Sequence, residues 1–372
     1  MITCYISTKM SNIPQVAPFL TAKDYLGAMK VRWGIGRDNF KINPGLYAIG
    51  SPTETSDVFV TANYKLSFDH LRKNMDGLNA WILVLDTKGI NVWCAAGKGN
   101  FGTKELVNRI QQTNLAQIVS HRRIILPQLG AVGVSAHEVK SATESEVAPS
   151  IQSSGNTIQA TTTFTPGNLQ ETNTKGFTVV YGPVRAADIK EFVKSGYKAT
   201  NEMRKINFPI WERAKLVPVD FVYRKYYLLA TMFLVFLLSG LNKSGFSLNQ
   251  SMNIGIQAVI NLLLAYTTGI VLTPILLPYI PGRPFALKGF LTGVALFATL
   301  LALQTTGNNL AEMIAWFLMV TSVTSFVAMN FTGSSTYTSL SGVKKEMKVA
   351  IPLQIGSSAI GLALFIVSKF LN

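Results

Sequence analysis

Five long apolar segments constrain the fold of this chain more than any other feature of its sequence. They lie at approximately residues 226–241, 254–280, 285–304, 311–330 and 349–371. Each approaches the roughly 20 residues that a helix needs to cross a bilayer core, although the first is short and Pro274 and Pro278 interrupt the second. Buried helices of a soluble protein would carry polar faces, which these segments almost entirely lack. The sequence therefore predicts an all-α domain of five transmembrane spans over residues 226–372.

The charged residues divide the chain into two parts of different composition. Residues 1–225 contain 27 Lys and Arg and 17 Asp and Glu, whereas residues 226–372 contain 7 and 2. The net charge is +15, but the head has no cluster of Lys and Arg interleaved with aromatic residues, so nucleic acid is disfavoured as a partner. An anionic membrane surface or an acidic partner fits this basic balance better. We predict a globular head that is followed by a lipid-embedded domain.

The cationic residues that flank the apolar segments predict the orientation in the membrane. With five spans, one side of the bilayer receives Arg224, Lys225, Arg283, Lys288, Lys344, Lys345 and Lys348. The other side keeps only Lys243 and Lys369. Residues 1–30 lack the apolar core of a signal peptide. We therefore predict a multi-pass protein of the cytoplasmic (inner) membrane, with the head in the cytoplasm and the C-terminus outside.

Strand and helix patterns alternate along the head. Short runs rich in β-branched or aromatic residues predict strands at 58–62, 81–85, 123–126 and 177–181, and helical periodicity appears at 104–112 and 186–195. This succession is typical of an α/β domain with a largely parallel sheet. We place this domain at residues 1–215 and a linker at 216–225. Residues 141–175 are rich in Ser, Thr, Gln and Asn, which predicts a flexible surface insertion without chemistry.

The segment G-I-N-V-W-C-A-A-G-K-G-N-F-G-T, residues 89–103, follows directly on the predicted strand W-I-L-V-L-D. In open α/β sheets, ligands bind just beyond the carboxyl ends of the strands. A Trp–Cys pair followed by small residues at that position would allow a large flat ligand to come close. A phosphate-binding loop would need Gly and Ser or Thr at the positions that Val92 and Gly99 occupy, so nucleotide hydrolysis is disfavoured.

The cysteines and histidines are too few and too dispersed for a zinc site, an iron–sulfur cluster or a disulfide framework. Cys4 and Cys94 are the two cysteines. Taken alone, Cys94 is more typical of a small buried apolar residue than of a ligand. His70 and His121 are most simply polar residues of the surface or core. His137, which precedes Glu138, could help to hold the tail of a ligand.

Four stretches of the head resemble the corrinoid-binding domain of the corrinoid iron–sulfur protein of acetyl-CoA synthesis. They are V-T-A-N-Y-K-L-S-F-D (60–69), W-I-L-V-L-D-T-K-G-I-N-V-W-C-A-A-G-K (81–98), H-R-R-I-I-L-P-Q-L-G-A-V-G-V-S-A-H-E-V-K (121–140) and Y-G-P-V-R-A-A-D-I (181–189). That relative is soluble and carries a cysteine-ligated cluster, whereas this chain has predicted spans and no cluster ligands. Its apolar segments and the cysteine within N-V-W-C-A-A-G-K resemble the mercury-methylating corrinoid proteins instead. The expected architecture is an α/β Rossmann-like corrinoid-binding domain followed by a five-helix transmembrane domain.

The resemblance implies a cobalt-containing, cobalamin-type corrinoid as cofactor, with the Cys94 thiolate as its lower axial ligand. The D-x-H-x-x-G pattern of histidine-ligated cobalamin proteins is not found, because Asp69 and His70 are adjacent. The residues implied to bind the cofactor are Thr61, Asn91, Val92, Trp93, Cys94, Ala95, Ala96, Gly97, Lys98 and His137. The implied activity is transfer of a cobalt-bound methyl group, as a carbanion or radical equivalent, to inorganic Hg(II), forming methylmercury.

The same resemblance implies two partners, and two other functions stay open. The partners are a small ferredoxin with two 4Fe–4S clusters and a methyltetrahydrofolate-type methyl donor or its methyltransferase. The first alternative is a membrane-bound corrinoid methyl carrier of one-carbon or acetyl-CoA metabolism. The second is a transporter with a regulatory head, which is disfavoured because Glu312 is almost the only acidic residue near the predicted spans.

Overall fold

The computed structural model of the chain describes residues 1–144, 175–331 and 340–371, the side chains of residues 340 and 341 excepted. Its contacts form two compact units, which are residues 1–31 with 36–206, and residues 32–35 with 207–372. The insertion predicted at 141–175 lies almost entirely outside the described residues. The two units are called the head and the helical unit below.

A seven-stranded mixed sheet forms the centre of the head. Its strands are β1 (Ile2–Ser7), β2 (Asn12–Val16), β3 (Gly45–Ile49), β4 (Val58–Ala62), β5 (Ala80–Leu85), β6 (Arg123–Leu126) and β7 (Thr178–Tyr181). Their order is β1-β2-β3-β5-β4-β6-β7, and the last four strands in this order are parallel. β1 pairs antiparallel with β2, and β3 pairs antiparallel with β5. The predicted α/β fold is confirmed. The four predicted strands are the adjacent parallel strands β5, β4, β6 and β7, and β2 and β3 form a further parallel pair.

Helices cover both faces of this sheet. They are α1 (Ala22–Arg32), α2 (Lys65–Asn74), α3 (Val92–Gly97), α4 (Thr103–Gln112), α5 (Leu115–Ile118), α6 (Ala136–Glu144), α7 (Ile189–Lys194) and α8 (Asn201–Arg204). Because side chains alternate along a strand, Val60 and Ala62 of β4 pack with α3 and α4, whereas Phe59 packs with α2 and α7. The head is a three-layer α/β/α structure.

The order of the parallel strands defines one special position at the sheet edge. The chain passes from β4 to β5 on one side, and then crosses to β6 on the other side of β4. Ligands of doubly wound sheets bind where the winding direction changes, outside the carboxyl ends of the strands. In this chain that position is bordered by the residues that follow β4, β5 and β6, which include 63–64, 86–91 and 127–135.

A buried cluster of four charged residues joins α1 to α2. Arg72 is fully buried, and its Nε and Nη2 donate to Asp69 at 2.8 Å and to Asp24 at 2.9 Å. Lys65 Nζ lies 2.6 Å from Asp24 and 2.5 Å from Asp69. Burial acts to raise the pKa of Asp24, but hydrogen bonds from Lys65 and Thr21 and the Lys65 charge outweigh it, so this pKa lies well below its usual range. Two cations balance two carboxylates, which makes burial of the cluster tolerable.

The helical unit consists of helices that are mostly apolar. They are α9 (Ile210–Ala214), α10 (Val217–Tyr223), α11 (Lys225–Leu238), α12 (Leu248–Leu276), α13 (Phe285–Ala302), α14 (Leu310–Asn330) and α15 (Leu340–Leu371). A short strand pair, β8 (Leu241–Asn242) and β9 (Gly245–Phe246), lies between α11 and α12. In the described residues, four helices, α12 to α15, are long and apolar enough to cross a membrane. The predicted helical, membrane-type composition of this region is confirmed.

The first predicted span, 226–241, differs from the other four. α11 has 14 residues, and it reaches a spanning length only together with residues 210–223, from which it is bent by 61°. The described residues therefore contain four candidate spans, or five if this bent pair counts as one. The count of five, and the side of the membrane on which each loop lies, stay predictions.

The boundary between the units lies earlier than the sequence predicts. Residues 207–225 belong with the helical unit, although we placed some in the head and the rest in a linker at 216–225. Phe208 and Leu216 pack against Leu277, Phe285 and Phe331, and α10 occupies most of the predicted linker. These apolar contacts give residues 207–225 an attachment that a solvated linker would not have.

Pro274 does not interrupt α12, contrary to prediction. A π-helical turn, Thr268–Leu272, ends two residues before it, and the Thr273 hydroxyl donates to the Thr268 carbonyl at 3.0 Å. Local π turns and hydroxyl groups that bond to backbone carbonyls help an apolar helix to accommodate a proline. The helix ends at Leu276, before Pro278.

Two kinds of contact hold the long helices together. Gly289 and Gly293 of α13 let it approach α14 closely, because a Cβ at Gly293 would lie 2.9 Å from the Thr321 Cα and one at Gly289 would lie 2.6 Å from the Thr324 carbonyl oxygen. At the end of α15, Lys369 Nζ lies 2.6 Å from Glu312 Oε1 at the start of α14, and both side chains are buried. Glu312 is thus an ion-pair partner.

Candidate functional site

Cys94 lies on a short helix at the carboxyl edge of the sheet. α3 begins after Asn91, whose side-chain oxygen accepts a hydrogen bond from the Cys94 amide at 2.8 Å. Such a cap satisfies an amide that has no partner within the helix. Val92, Ala95 and Ala96 are buried against the sheet, whereas Trp93 and Cys94 are half-buried. Cys94 is therefore partly accessible to solvent, while the buried residues of α3 attach the helix to the sheet.

The residues between β5 and α3 form a tight turn over Thr87–Ile90. The Ile90 amide donates to the Thr87 carbonyl at 3.1 Å, and Lys88 and Gly89 have φ values of 57° and 75°. A left-handed conformation costs a residue with a side chain about 1–2 kcal/mol. The Lys88 amide donates to Asp86 Oδ1 at 3.0 Å, which helps to hold this conformation. The turn therefore depends on polar side chains around it.

Asn63, which directly follows β4, is the residue that connects this turn to the sheet. Its side chain is 2% exposed, and its Oδ1 accepts from the amides of Thr87 and Gly89 at 3.1 and 2.9 Å. Its Nδ2 donates to Asp86 Oδ1 at 3.0 Å. The Thr87 hydroxyl, which has one proton to donate, lies 2.9 Å from Asn63 Oδ1 and 2.6 Å from the Ile90 carbonyl oxygen. One buried amide group thus fixes the start of the segment that leads to Cys94.

The loop that follows β6 supports α3 from its other end. Gly133 packs so closely that a Cβ there would lie 3.1 Å from the Ala96 Cα and would overlap the Phe101 carbonyl oxygen. The Thr103 amide at the start of α4 donates to the Gly133 carbonyl at 3.2 Å. Val132 at the tip of this loop is 77% exposed. Val132 is thus an exposed apolar side chain in the loop that supports α3.

The structure brings most of the predicted site residues together, but not all of them. Asn91, Val92, Trp93, Cys94, Ala95, Ala96, Gly97 and Lys98 form α3 and its two caps. Thr61 lies in β4, where it is 4% exposed and alternates with Val60 and Ala62. It therefore lies on the face of the sheet that is turned away from α3. His137 is exposed in the first turn of α6.

In the described parts of the chain, no group of three or more His, Cys, Asp or Glu could hold a metal ion. Two clefts of about 210 and 320 Å³ are lined by residues of other regions, and neither includes any residue from 86 to 102. Cys94 therefore belongs neither to such a group nor to either of these clefts.

Three residues of the site were missed by the sequence analysis. Asn63, Asp86 and Thr87 immediately follow the buried strands β4 and β5. Glu105 of α4 adds a fourth contact, since its Oε1 accepts from the Asp86 amide at 2.8 Å. The available signal was the position of polar residues directly after two fully buried strands, which places them at the carboxyl edge.

Comparison with known proteins gives a family match over part of the chain. Residues 24–160 match the model of the family described as CO dehydrogenase/acetyl-CoA synthase delta subunit. This region contains β3 to β6 and α3, and thus the whole surrounding of Cys94. Residues 207–372 of the helical unit lie outside the matched residues.

Curated relatives carry the name of a different subunit. The acetyl-CoA decarbonylase/synthase complex subunit gamma of Methanocaldococcus jannaschii is 39% identical over 92 residues, which is 24% of this chain and 19% of that subunit. The gamma subunits of Archaeoglobus fulgidus and Methanopyrus kandleri are 31% and 32% identical, over 26% and 24% of this chain and 21% and 20% of their own lengths. This chain therefore matches about a fifth of the length of these relatives. Its head is similar to subunits of CO dehydrogenase/acetyl-CoA synthase and acetyl-CoA decarbonylase/synthase complexes.

Proposed function

We propose that this chain is a membrane-anchored, corrinoid-dependent methyltransferase that methylates inorganic Hg(II). In this proposal the head binds a cobalt corrinoid, and the Cys94 thiolate is its lower axial ligand. The observation that carries the proposal is the position of Cys94: a half-buried thiol on a capped helix, where the winding direction of the sheet changes. The similarity of residues 24–160 to subunits of acetyl-CoA synthase complexes supports it.

The residues around Cys94 fit such a cofactor. A thiolate is a soft, anionic donor of the kind that transition metals bind. Gly97 has no side chain, and Ala95 and Ala96 are buried with their methyl groups in the core, so this part of α3 leaves space for a planar ring. Val132 offers an exposed apolar contact at the same edge of the sheet.

The chain contributes a ligand and its placement, and the cofactor contributes the reactive bond. When bound, a cobalt corrinoid would supply a methyl group that can leave with electron density, as an electrophile such as Hg(II) requires, and a donating Cys94 thiolate would favour this departure. Asn91 holds the amide of Cys94 and so fixes the start of the helix that presents the thiol. Trp93, the preceding residue, is half-buried.

Two partners and a membrane location complete the proposal. The partners are a small ferredoxin with two 4Fe–4S clusters, as electron donor, and a methyltetrahydrofolate-type donor or its methyltransferase. The bilayer would hold α12 to α15, together with α11 and the bent segment 210–223 before it as a fifth span, and the head would lie in the cytoplasm. A reporter fused after Asn372 is then exterior, and one inserted near Ser153 is cytoplasmic. Finding both reporters on the same face contradicts the five-span arrangement.

A membrane-bound corrinoid methyl carrier of one-carbon or acetyl-CoA metabolism is the second candidate. The observation in its favour is that the family model and the curated relatives carry the names of acetyl-CoA synthase and decarbonylase/synthase subunits. Two assays on one preparation separate the candidates. Methylmercury formation supports the first, whereas acetyl-CoA formation without methylmercury supports the second.

Substitution of Cys94 tests the proposed function most directly. Cys94→Ala should abolish mercury methylation while the protein remains folded and inserted, because alanine offers no ligand and differs little in size. Corrinoid bound through other contacts should lose the absorption spectrum of the thiolate-ligated form. Cys4→Ala is the matched control and should keep activity, because Cys4 is exposed on β1. Wild-type methylation by Cys94→Ala would refute the axial-thiolate mechanism.

A further inference from the structure

We infer that Asn63 is the positioning residue for Cys94: its buried side chain fixes the turn at 87–90 and thereby sets where α3 holds the thiol. The inference deepens the proposed function and rests on it for the role of the thiol. Asn63 itself touches no reacting atom in this proposal. It acts through the turn, 24 to 26 residues further along the chain.

Asn63 is well suited to serve as a fixed point. Its amide donates to the Leu85 carbonyl at 3.0 Å, and its carbonyl accepts from the Ile42 amide at 2.9 Å. Its backbone is therefore held from two sides, by the end of β5 and by the segment before β3. Because the backbone is fixed and the side chain is 2% exposed, the side-chain amide has little freedom to move.

The hydrogen-bond pattern requires an amide at this position. Oδ1 receives the amides of Thr87 and Gly89, while Nδ2 donates to a carboxylate oxygen of Asp86 at 3.0 Å. Aspartate has the same shape, but it would place a second carboxylate against Asp86. Alanine would leave two amides without their acceptor, and such unsatisfied buried donors are costly. Among side chains of this size, asparagine alone carries an acceptor oxygen and a donor nitrogen on one planar group.

The turn transmits the position of Asn63 to the thiol over a short path. Gly89 is bonded to Asn63, and Asn91, two residues later, caps α3 by accepting from the Cys94 amide at 2.8 Å. The two asparagines thus act in succession, the first on the turn and the second on the helix. If the turn loosens, the cap and the sulfur atom lose their fixed distance from the sheet. An axial ligand requires that distance to be constant, because metal–sulfur bonds have a narrow range of lengths.

The test uses the full-length protein with Cys4→Ser, so that Cys94 is the only thiol. Asn63→Ala is compared with Asn79→Ala. Asn79 makes an exposed loop contact at the opposite edge of the sheet, where its Oδ1 accepts from the Ser51 amide at 2.9 Å. Two measurements use the cofactor-free protein: hydrogen exchange of the amides at 87 and 89, and the rate at which iodoacetamide alkylates Cys94. A third measures the thiolate-ligated fraction in the visible spectrum after loading with hydroxocobalamin.

Asn63→Ala should speed exchange of the Thr87 and Gly89 amides about tenfold and should raise the alkylation rate of Cys94. The thiolate-ligated fraction should fall by about half or more, while the amount of bound hydroxocobalamin stays the same. Asn79→Ala should change none of the three measurements. If Asn63→Ala does not fold, Thr87→Val replaces it, with Thr87→Ser as the variant that restores the hydroxyl and the wild-type values.

Two different failures can be told apart. Wild-type exchange, alkylation and spectrum in Asn63→Ala would overturn the positioning role. A loaded protein whose spectrum is the same with and without Cys94 would instead overturn the proposed function. In that case the exchange and alkylation rates still decide whether Asn63 positions Cys94, since both are measured without cofactor.

Discussion

The head and the helical unit satisfy their buried polar side chains in opposite ways. In the head, Asn63 bonds to residues more than 20 positions away, and Arg72 donates to the Ala17 carbonyl, 55 positions away. In the helical unit, many hydroxyls bond within their own helix, as Thr267 does to the Leu263 carbonyl and Thr321 to the Phe317 carbonyl. Long-range bonds define the shape of loops, whereas bonds to the preceding turn only make a hydroxyl compatible with an apolar surrounding. The candidate site lies among the long-range bonds of the head.

Some contacts in the helical unit depart from this pattern and join different helices. The Ser325 hydroxyl donates to the Ala286 carbonyl at 2.8 Å, and Gln354 donates to the Ser325 hydroxyl at 2.8 Å. Asn261 donates to the Thr305 carbonyl at 2.7 Å. These bonds connect α12 to α15 with their neighbours and so act on helix packing. They are the contacts whose removal tests the comparison most severely in the helical unit.

The largest effect is expected for Arg72→Ala in the head. It removes the cation that holds Asp24 and Asp69 and leaves the carboxylates buried with Lys65 alone. We expect the unfolding free energy of the head to fall by about 3–5 kcal/mol. Hydrogen exchange of β4 amides in the full-length protein measures it. The control is Lys205→Ala, which removes an exposed ion pair with Glu202 and should cost about 0–1 kcal/mol. If both substitutions lowered the unfolding free energy equally, the burial of an ion pair would not determine its contribution to stability.

An intermediate effect is expected for Lys369→Met in the helical unit. The substitution leaves the buried Glu312 without its cation, which should cost about 1–3 kcal/mol. Adding Glu312→Gln should recover part of this loss, because the charge that lacked a partner is then removed. Denaturation in mixed micelles measures both variants. If the double variant is less stable than Lys369→Met, the pair is held together by more than its charges.

The smallest effect is expected where a hydroxyl bonds to its own helix, and the same substitution in the head provides the contrast. Thr299→Ala removes a bond to the Ala295 carbonyl at 3.0 Å on an exposed face of α13, and should change stability by less than about 0.5 kcal/mol. Thr87→Ala removes a fully buried hydroxyl that contacts Asn63, and should cost about 1–2 kcal/mol. If Thr299→Ala and Thr87→Ala lowered the unfolding free energy equally, the proposed difference between the head and the helical unit would be wrong.

The sequence predicts well those elements whose residues share one environment along their whole length. β4 and β6 match their predicted bounds because each is a run of β-branched and apolar residues within the sheet. β1 was missed because it is an edge strand with mostly exposed residues, and its apolar residues do not alternate regularly with polar ones. α11 lies within the predicted apolar segment 226–241, but the bend before it was missed because the composition of a segment does not show where a helix changes direction.

The candidate site could be predicted in part. The segment 89–103 stands out by its small residues and by its place after a buried strand, and the structure puts Cys94 at the carboxyl edge as that place requires. Thr61 was selected from the V-T-A-N motif, yet Asn63 of the same motif makes the contacts to the turn. A single polar residue produces no periodic pattern in the sequence. Its hydrogen-bond partners can therefore be identified only when the order of the strands in the sheet is known.

The order of the two units along the chain has a consequence for how the protein is made. Residues 207–372 of the helical unit follow every strand of the head, so all of these strands have been synthesised before those 166 residues. At about 5–20 residues per second, that interval lasts roughly 10–30 s. Parallel strands fold slowly because each pair must first close a long connection, yet seconds are ample for a domain of this size. The ribosome thus gives the thiol-bearing edge time to form before the spans are complete.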